Sequence, residues 1–469
     1  MRKTKIICTL GPAVDDEAML KKLMKNGMNV ARFNFSHGTH EEQKVRMDRV
    51  KKLREELNLP IAILLDTKGP EIRLKNFEEG KVTVEEGQTF TLSTGDFLGN
   101  KEKVALTYTK LAEGVEVGTR ILIDDGKIAM NVTAIEGDDV VCTVVNGGVV
   151  SNHKSINVPN VVIPMPYISP VDKDDILFGI EQEVDYIAAS FVRTADDVIR
   201  LRNLLQANGG EKIKIISKIE NVQGLHCIDE IIDASDGIMV ARGDLGVEIP
   251  FKELPGIQKS MIEKCVRKGK LVVTATQMLE SMTHSPRPTR AEVSDVANAI
   301  YDGTTAIMLS GESAAGDYPA EAVKTMSEIA EATEKCIEYK KLKTTYELPK
   351  DVANAVAVSA CKAANTLNAK AIVAVSRSGA TAEIIAHYRP ECPILSAVVD
   401  SRAMRQLNLA FGVLPIQATE QHISTDLVEY AVRKATETGY VSDGDTIVIV
   451  AGTSKQDGKP SNMMQVHVI

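Results

Sequence analysis

Short apolar runs alternate with amphipathic helical stretches along most of this chain, and this alternation limits the possible folds more than any other feature. Eight runs have the length and composition of buried strands: 5–10, 28–35, 61–66, 184–191, 213–220, 237–243, 271–277 and 304–310. Strands that alternate with helices predict a parallel α/β sheet. Eight such units over this length predict a closed (β/α)8 barrel of the TIM type.

Single residues predict several helix boundaries between these strands. The predicted starts are Asp15 or Asp16, Thr39 with Glu42 in a capping box, Thr194, and Pro288 as a first helical residue. The pair Asn26-Gly27 predicts the end of the first helix.

The stretch from 71 to 166 interrupts the alternation. It is rich in Val, Thr and Gly, and turn signals such as Glu86-Gly87 and Glu136-Gly137 separate short strands. This pattern predicts a small all-β domain, a small β-barrel inserted in a barrel loop. Because loops after barrel strands form the catalytic face, a domain inserted there predicts a lid.

The last part of the chain predicts a separate open α/β domain. A charged helix ending near Lys343 and a linker over 343–350 precede it. Its predicted strands are 371–375, 393–399 and 445–452, and its predicted helices are 351–367, 380–388 and 423–437. We therefore predict a barrel domain in two parts (1–70 and 167–343), the inserted β lid (71–166) and a C-terminal α/β effector domain (344–469).

Composition excludes several classes of function. The chain has 469 residues, of which 44% are hydrophobic, and 64 acidic residues outnumber 55 basic ones to give a net charge of −9. An acidic balance disfavours binding to nucleic acid or to an anionic membrane, and no run approaches the roughly 20 apolar residues that span a bilayer. The seven scattered cysteines contain no C-x-x-C pair, which is typical of a cytoplasmic protein with reduced thiols.

The ends of two neighbouring predicted strands carry residues suited to phosphate chemistry. Lys218 and Glu220 share one face of their strand, and Asp244 follows the next strand. Taken singly, the first two also fit an ordinary salt bridge and Asp244 fits a turn or helix cap. Strands lie about 5 Å apart, so both carboxylates can reach one small cation. Mg2+ prefers one or two carboxylates with phosphate oxygens and water, and a lysine beside it indicates phosphoryl transfer.

Other strand ends carry polar groups whose role stays open at this point. Alternation places Arg32, Asn34 and Ser36 on one side of their strand, and a polar stack in a barrel interior favours function. Asp66 and Thr67 offer oxygen donors for a monovalent cation, although such groups more often hydrogen-bond one another. Thr274 and Thr276 share a face, for which ordinary β-branched strand residues are the simpler interpretation.

Motifs of the common nucleotide-binding and zinc sites are absent from the sequence. It contains no G-x-x-x-x-G-K-[ST], no G-x-G-x-x-G that opens a helix, and no histidine cluster of the HExxH kind. The segment SRSGAT (376–381) follows a strand and precedes a helix, so hydroxyls and a helix N-terminus predict an anion site there. A plain β-α turn is the alternative.

The order and spacing of the motifs resemble the pyruvate kinase family over essentially the whole chain. The matching segments are NVARFNFSHG, LLDTKGPEIR, SKIEN, VARGDLGVE, TATQMLESM, PRPTRAEVSDVANAIYDGTTAIMLSGESAAGDYP and the SxSGxT loop. The PRPTRAE…GDYP block is very specific and the SxSGxT loop is the least specific. The resemblance implies transfer of the phosphoryl group of phosphoenolpyruvate to ADP, giving pyruvate and ATP, in the final step of glycolysis.

The resemblance also implies roles for particular residues. Lys218, Arg32 and Thr276 would be catalytic, and these three with Gly243 and Asp244 would bind phosphoenolpyruvate. Glu220 and Asp244 would bind Mg2+ (or Mn2+); Asn34, Ser36, Asp66 and Thr67 would bind K+; Asn34, His37, Arg73 and Lys154 would approach the nucleotide; Ser376, Arg377, Ser378, Gly379 and Thr381 would bind the phosphate of an allosteric effector.

Three further expectations follow from the resemblance. Glu71 stands where potassium-dependent members of the family carry Glu and independent members carry Lys, so we expect potassium dependence. Thr194 stands where many relatives have a basic residue, so a nucleotide contact at this position does not carry over from the resemblance. We expect a homotetramer with the PRPTRAE helix near a barrel–barrel interface, a phosphorylated activator, and no appended phosphohistidine-type domain.

Two other classes of function remain as alternatives. A metal-dependent lyase or aldolase acting on pyruvate-like acids would share the barrel and the Glu/Asp pair, but it would not need the lid with Lys154 or the potassium cluster. A non-catalytic scaffold would show no turnover, and the intact set of Lys218, Glu220, Asp244 and Thr276 argues against it.

Overall fold

The computed structural model describes residues 1–339, 346–419, 427–452 and 461–469. Within these ranges, no helix is both long enough and apolar enough to cross a bilayer. All seven cysteines lie in the described ranges, and all are free thiols.

The chain begins with three parallel strands of a barrel, β1 (Lys5–Thr9), β2 (Val30–Asn34) and β3 (Ala62–Asp66). Between them lie a short 3-10 helix (Pro12–Val14) and two helices, α1 (Glu17–Asn26) and α2 (His40–Glu56). The Asp16 side chain caps α1, and Thr39 and Glu42 form the predicted capping box of α2.

An all-β unit follows β3. Its elements are β4 (Ile72–Arg73), β5 (Lys81–Val84), β6 (Thr89–Ser93), β7 (Lys103–Ala105), α3 (Leu111–Gly114), β8 (Arg120–Ile123), β9 (Ile128–Glu136), β10 (Asp139–Asn146), β11 (Gly148–Ser151) and β12 (Ser155–Asn157). Seven strands form one sheet in the order β4-β12-β8-β9-β10-β6-β7, and β5 pairs with β11. The sheet curls until its two edges meet, because Leu74 and Leu106 pair just beyond β4 and β7.

The barrel then resumes and closes. Its remaining elements are α4 (Pro170–Glu181), β13 (Tyr186–Ala189), α5 (Ala195–Ala207), β14 (Lys214–Ile219), α6 (Val222–His226), α7 (Ile228–Ala234), β15 (Gly237–Ala241), α8 (Arg242–Glu248), α9 (Leu254–Arg267), β16 (Leu271–Ala275), a 3-10 helix (Glu280–Thr283), α10 (Arg290–Asp302), β17 (Ala306–Leu309), α11 (Gly311–Ala314) and α12 (Pro319–Glu334). The eight parallel strands close in the order β1-β17-β16-β15-β14-β13-β3-β2.

The C-terminal unit is a five-stranded sheet with helices. Its elements are α13 (Val352–Leu367), β18 (Ala371–Ser376), α14 (Ala380–His387), β19 (Ile394–Val398), α15 (Ser401–Leu407), β20 (Val413–Gln417), α16 (Leu427–Glu437), β21 (Thr446–Ala451) and β22 (Met463–Val468). The sheet order is β20-β19-β18-β21-β22, and only the last pairing is antiparallel.

Side chains two apart along each strand point into the barrel, and their character changes from apolar to polar along the strand. Val30, Leu64, Ala188 and Ile216 belong to one apolar cluster of fully buried residues. The next inward positions towards the carboxyl ends hold Arg32, Asp66, Ser190 and Lys218, which are also buried. The barrel therefore has an apolar lower half and a polar layer at the end where its loops gather.

The predicted fold class is confirmed: an eight-stranded parallel barrel, an inserted all-β unit and a C-terminal α/β unit. One predicted helix start is wrong. Pro288 is not a helical residue, because Thr289 is the N-cap of α10 and forms a capping box with Glu292. Within the described part of the C-terminal unit, three elements were missed in the sequence, namely α15, β20 and the antiparallel edge strand β22. The predicted helix end near Lys343, the start of the predicted linker and the first residues of the predicted helix 423–437 fall in 340–345 and 420–426, which lie outside the described residues.

Candidate active site

Lys218 lies at the centre of the polar layer. It precedes the last residue of β14, and its ammonium group contacts Asp66 Oδ1 at 2.9 Å, Ser190 Oγ at 2.8 Å and Glu220 Oε1 at 3.0 Å. Burial alone would lower the pKa of Lys218, but the carboxylates of Asp66 and Glu220 outweigh burial and raise it. The side chain therefore stays cationic, with its charge fixed in a water-poor setting.

Asp66 also binds a second cation of the polar layer, the guanidinium of Arg32. Its Oδ2 accepts a 2.6 Å hydrogen bond from Arg32 Nε, and Arg32 Nη1 donates to Thr9 Oγ1 at 2.8 Å. Burial opposes ionisation of Asp66, but Arg32 and Lys218 together lower its pKa. One ionised carboxylate thus orients two cations, and this order is useful for binding an anion without reorganisation.

Glu220 follows β14 directly and is almost fully buried. Its Oε2 accepts a 2.6 Å hydrogen bond from the backbone N–H of Phe191. Phe191 has a φ of +52°, a left-handed conformation that a bulky residue rarely adopts. Burial raises the pKa of Glu220 to about 7, Lys218 opposes the shift, and the nearby carboxylate of Asp244 adds to it.

Asp244 lies in the first turn of α8, so residues 242 and 243 are helical and not the end of a strand as expected. The strands β14 and β15 are neighbours, which brings the Asp244 turn beside Glu220. Asp244 is half-buried, lines a cavity, and has no side-chain hydrogen bond or ion pair with the described residues. No group of three or more His, Cys, Asp or Glu side chains within the described ranges is arranged to hold a metal ion.

Thr276 ties the ends of two strands together. Its Oγ1 accepts a 2.9 Å hydrogen bond from the backbone N–H of Gly243, one residue before Asp244. Thr276 and Gln277 both have left-handed φ angles, of +67° and +54°. Arg242 holds this strained turn, because its guanidinium donates to the carbonyl of Thr276 and forms an ion pair with Asp295 of α10 at 2.7 Å.

A cavity of about 550 Å³ lies between the inserted β unit and the carboxyl ends of the barrel strands. His37, Arg73 and Lys154 line it, as does Asp244. Arg73 forms a two-point pair with Glu71, at 2.6 and 2.8 Å, and Lys154 contacts Asp124 Oδ1 at 2.8 Å. The cavity therefore carries several cations whose partners are carboxylates at its own rim.

The four residues predicted to bind a monovalent cation lie next to one another at the ends of β2 and β3. Asn34 is the register partner of Asp66. Several of their oxygens already have partners: Asn34 Oδ1 accepts from the Ser36 N–H at 3.1 Å, and Thr67 Oγ1 accepts from the Ser190 N–H at 3.1 Å. Asn34 does not line the 550 Å³ cavity, unlike His37, Arg73 and Lys154, the other three residues expected near the nucleotide.

The predicted effector loop connects β18 to α14 in the C-terminal unit, whereas the candidate active site lies in the barrel. Ser376 Oγ accepts a 3.0 Å hydrogen bond from the Gly379 N–H, and Gly379 has a φ of +81° that favours glycine. Thr381 is buried and shares a hydrogen bond with Ser461. Arg377 and Ser378 are both exposed.

Several residues of the site were missed in the sequence. Ser190 bridges Lys218 and the Thr67 carbonyl, the latter at 2.6 Å, and Asn157 of the β unit donates to Glu248 of α8 at 3.0 Å. Ser190 had a usable signal, since it continues the inward-facing positions of β13. The sequence offers no usable signal for three other contacts: the Phe191 N–H with Glu220, Asp124 with Lys154, and Asn157 with Glu248. Each of them joins segments that are far apart in the chain.

The fold and the polar layer define an enzyme of the (β/α)8 barrel class with a site suited to an anionic substrate. Residues 1–323 match the family model for the pyruvate kinase barrel domain, and residues 354–467 match that for the pyruvate kinase alpha/beta domain. The chain therefore belongs to the pyruvate kinase family, and it is a phosphotransferase.

Individual relatives agree along the whole chain. A pyruvate kinase from Staphylococcus haemolyticus is 49% identical over 473 residues, which cover 100% of this chain and 81% of the relative. A pyruvate kinase from Clostridium acetobutylicum is 47% identical over 472 residues, which cover 100% of this chain and 100% of the relative. The crystal structure of a pyruvate kinase from Cryptosporidium parvum has a TM-score of 0.94 at 40% identity, over 100% of this chain and 96% of that one.

Proposed function

We propose that this enzyme transfers the phosphoryl group of phosphoenolpyruvate to ADP, giving pyruvate and ATP. The observation that carries this proposal is the buried ammonium of Lys218, held by Asp66, Ser190 and Glu220 beside a cavity under the β unit. Phosphoryl transfer needs mainly positioning and positive charge, since the protein does little covalent chemistry. The names of the matched relatives support the same reaction.

The donor set fits a divalent cation. Asp244 has a carboxylate without a partner among the described residues, and its charge acts on the buried Glu220. Two carboxylates are what Mg2+ or Mn2+ takes from a protein when substrate oxygens and water supply the other ligands. When bound, such an ion would neutralise charge on the phosphoryl oxygens and on the enolate oxygen.

The residues of this chain would divide the remaining work. Arg32 and Lys218 would bind the phosphoryl group, and Lys218 would stabilise its charge during transfer. The Gly243–Asp244 turn and Thr276 would contact the carboxylate side of phosphoenolpyruvate, with Thr276 near the carbon that is protonated. Closure of the β unit over the cavity would exclude water, which would otherwise accept the phosphoryl group.

The nucleotide would lie in the 550 Å³ cavity. His37, Arg73 and Lys154 line it and would approach the phosphates of ADP, with Asn34 as a fourth contact. Arg73 and Lys154 would exchange their present partners, Glu71 and Asp124, for phosphate oxygens. A monovalent cation, K+, would bind among Asn34, Ser36, Asp66 and Thr67, and Glu71 supports dependence on it.

A coupled assay with lactate dehydrogenase, phosphoenolpyruvate and ADP tests the function directly. We expect turnover that stops when Mg2+ is omitted and falls when K+ is omitted, with ATP formed in equal amount to pyruvate. Pyruvate formation without ATP would favour a lyase or aldolase and contradict the proposal. The absence of any turnover with all components present would favour a scaffold.

Regulation by a phosphorylated metabolite is a further part of the proposal, as are a homotetrameric assembly and a cytoplasmic location. The loop with Ser376, Arg377, Ser378, Gly379 and Thr381 precedes α14 and leaves the Ser378 hydroxyl exposed. We expect the double change Ser378→Ala and Thr381→Ala to blunt activation by fructose 1,6-bisphosphate and other sugar phosphates while the basal rate stays the same. Equal activation of variant and parent would make the loop an ordinary turn.

A further inference from the structure

Two linkers join the inserted β unit to the barrel. The outgoing linker, 67–71, runs from the end of β3 to β4, and the return linker, 158–169, runs from β12 to α4. The return linker passes from one core to the other, because Met165 packs on the apolar core of the β unit and Tyr167 belongs to that of the barrel. The placement of the β unit over the barrel site therefore depends on how these two linkers are held.

The return linker is held by the loop that follows β13. The guanidinium of Arg193 donates to the carbonyl of Met165 at 2.9 Å. The hydroxyl of Tyr167 donates to the carbonyl of Ser190 at 3.1 Å. Ser190 also accepts the 2.8 Å hydrogen bond from Lys218 at the centre of the polar layer. The point at which the chain re-enters the barrel is thus fixed to the loop that holds the catalytic ammonium.

The outgoing linker begins on the same loop. Thr67 has two bonds to Ser190: its Oγ1 accepts from the Ser190 N–H at 3.1 Å, and its carbonyl accepts from the Ser190 hydroxyl at 2.6 Å. Gly69 has a φ of +75°, and a Cβ there would lie 2.9 Å from Ser190 Cβ and 3.0 Å from Phe191 Cδ2. The backbone of the linker therefore lies directly against the loop at a position that only glycine fits.

One buried carboxylate, that of Asp172, joins the two linkers to each other. Its Oδ1 accepts a 2.9 Å hydrogen bond from the Gly69 N–H of the outgoing linker. Its Oδ2 accepts from Ser169, the last residue of the return linker, at 2.7 Å from the hydroxyl and 3.3 Å from the N–H. Asp172 is only 3% exposed. Hydrogen bonds to an ionised acceptor are strong where water is excluded, so this carboxylate fixes the two linkers relative to one another.

Helix capping alone does not account for Asp172. The residue lies in the first turn of α4 and forms a capping box with Ser169. One carboxylate oxygen is enough for that role, and Oδ2 fulfils it. The bond from Gly69 to Oδ1 is additional, and it joins residues 103 positions apart in the chain.

We propose that Asp172 is a positioning residue for the reaction, because its carboxylate sets the place from which the outgoing linker carries the β unit over the cavity. Arg73 follows that linker in β4, and Lys154 directly precedes β12; both line the cavity. Loss of the carboxylate would let these two cations move away from a bound nucleotide. Arg32 and Lys218 belong to barrel strands and would keep their places. The nucleotide part of this inference rests on the proposed function.

Hydrogen exchange measured by mass spectrometry on the full-length chain tests the contact without any catalytic readout. Asp172→Ala should make exchange in 67–71 about fivefold faster or more, because the Gly69 N–H loses its acceptor, while the strands of the β unit exchange as in the parent. Ser169→Ala is the matched control. It removes the hydroxyl that caps α4 and leaves the Gly69–Asp172 bond in place, so only the start of α4 should exchange faster.

Steady-state kinetics separates positioning from stability. Asp172→Ala should raise KM for ADP about tenfold, in line with the loss of one charge-assisted hydrogen bond, while KM for phosphoenolpyruvate changes by less than about twofold. Asp172→Asn should restore most of the parent KM for ADP, since its amide oxygen can accept the Gly69 N–H. Asp172→Glu keeps a capping carboxylate in α4 but carries it past Gly69 on a longer side chain. It should also raise KM for ADP, which keeps the test available if the alanine variant does not fold.

Equal values of KM for ADP in Asp172→Ala and Ser169→Ala would overturn the proposal, because Asp172 would then act only as a helix cap. Unchanged exchange of 67–71 in Asp172→Ala would overturn it as well. Faster exchange of this linker in a chain that forms no ATP would contradict the proposed function and support the positioning of the linker by Asp172.

Discussion

At the scale of the residue, the site depends on few ionised groups held in a dry layer. Lys218 is 8% exposed and Glu220 is 1% exposed, yet both have partners through Asp66, Ser190 and the Phe191 N–H. Removing one member leaves another charge buried without compensation, which costs more than the pair contributes. Single substitutions here should therefore have large effects on activity.

Glu220→Gln is the first prediction at this scale. The amide keeps the shape of the side chain but removes the negative charge beside Asp244, so we expect turnover with Mg2+ to fall by about 100-fold or more. Turnover assays and Mn2+ binding by electron paramagnetic resonance would measure the change. Glu263→Gln, on the exposed side of α9, should leave both unchanged; near-normal Mn2+ binding by the Glu220 variant would remove Glu220 from the metal site.

Glu71→Lys is the second. The Glu71 carboxylate lies between Arg73 and Lys68, at 2.6 and 3.5 Å, so a lysine there brings a tethered ammonium to the rim of the cavity. We expect activation by K+ to fall by about tenfold or more, equivalent to about 1.4 kcal/mol of cation binding. Rates measured with and without K+ would show it. Glu78→Lys, an exposed change in the same unit, is the control; an unchanged K+ curve for Glu71→Lys would contradict the idea.

At the scale of the element, helix α10 links its own stability to the active site. Its Asp295 holds Arg242, and Arg242 holds the strained carbonyl of Thr276. The helix begins with a complete capping box, in which Thr289 Oγ1 accepts from the Glu292 N–H at 3.2 Å and Glu292 accepts from the Thr289 N–H at 2.7 Å. Fraying of this first turn would loosen the support of Arg242.

Thr289→Ala should therefore destabilise the first turn of α10 by about 1 kcal/mol, the usual cost of losing such a cap. Amide hydrogen exchange in that turn should become about fivefold faster. Thr194→Ala is a matched control, since Thr194 is the N-cap of α5 but its side chain makes no capping bond. An equal change of exchange at the two helix starts would show that the Thr289 hydroxyl contributes nothing.

At the scale of the whole molecule, the C-terminal unit closes the lower end of the barrel. Arg405 of α15 pairs with Asp185, which is fully buried just before β13 and also accepts the Ile63 N–H at 2.9 Å. Tyr186 donates to the Gln406 carbonyl at 2.6 Å, and Lys5 donates to that of Val413 at the same distance. These contacts make α15 part of the base of the barrel.

Arg405→Met should lower the melting temperature, and more so at pH 8 than at pH 5. Burial raises the pKa of Asp185 above the ordinary 3.8, although Arg405 opposes the shift. When the pKa of a group is higher in the folded state than in the unfolded state, the group makes its full contribution to stability below the unfolded-state pKa. That contribution is lost as the pH rises through the folded-state pKa. Without Arg405 the ionised form is costlier still. Thermal melts between pH 5 and pH 8 would measure the loss of melting temperature. In an Asp185→Asn background, the loss caused by Arg405→Met should no longer depend on pH. A loss of the same size at every pH in the Arg405→Met protein would contradict the role given to Asp185.

Much of the fold could be predicted because each element carries its own signal. The eight apolar runs became β1 to β3 and β13 to β17 within about two residues at each end, since alternation and strand length report burial on the barrel. The edge strand β22 could not be predicted from alternation and strand length. Its outward residues Met464, Val466 and Val468 are partly exposed, and it pairs antiparallel to a sheet that is otherwise parallel. Nothing local distinguishes such an edge from a tail.

The sequence by itself determined the barrel, the inserted β unit and the positions of Lys218, Glu220, Asp244 and Thr276 at or just beyond strand ends, because inward and outward positions alternate along a strand whatever its neighbours are. Only the tertiary structure decided which charges meet. The pairing of Asp66 with Lys218, the Phe191 N–H on Glu220 and the pairing of Arg405 with Asp185 join segments that are far apart in sequence, and their distances are set by closure of the barrel and by docking of the C-terminal unit.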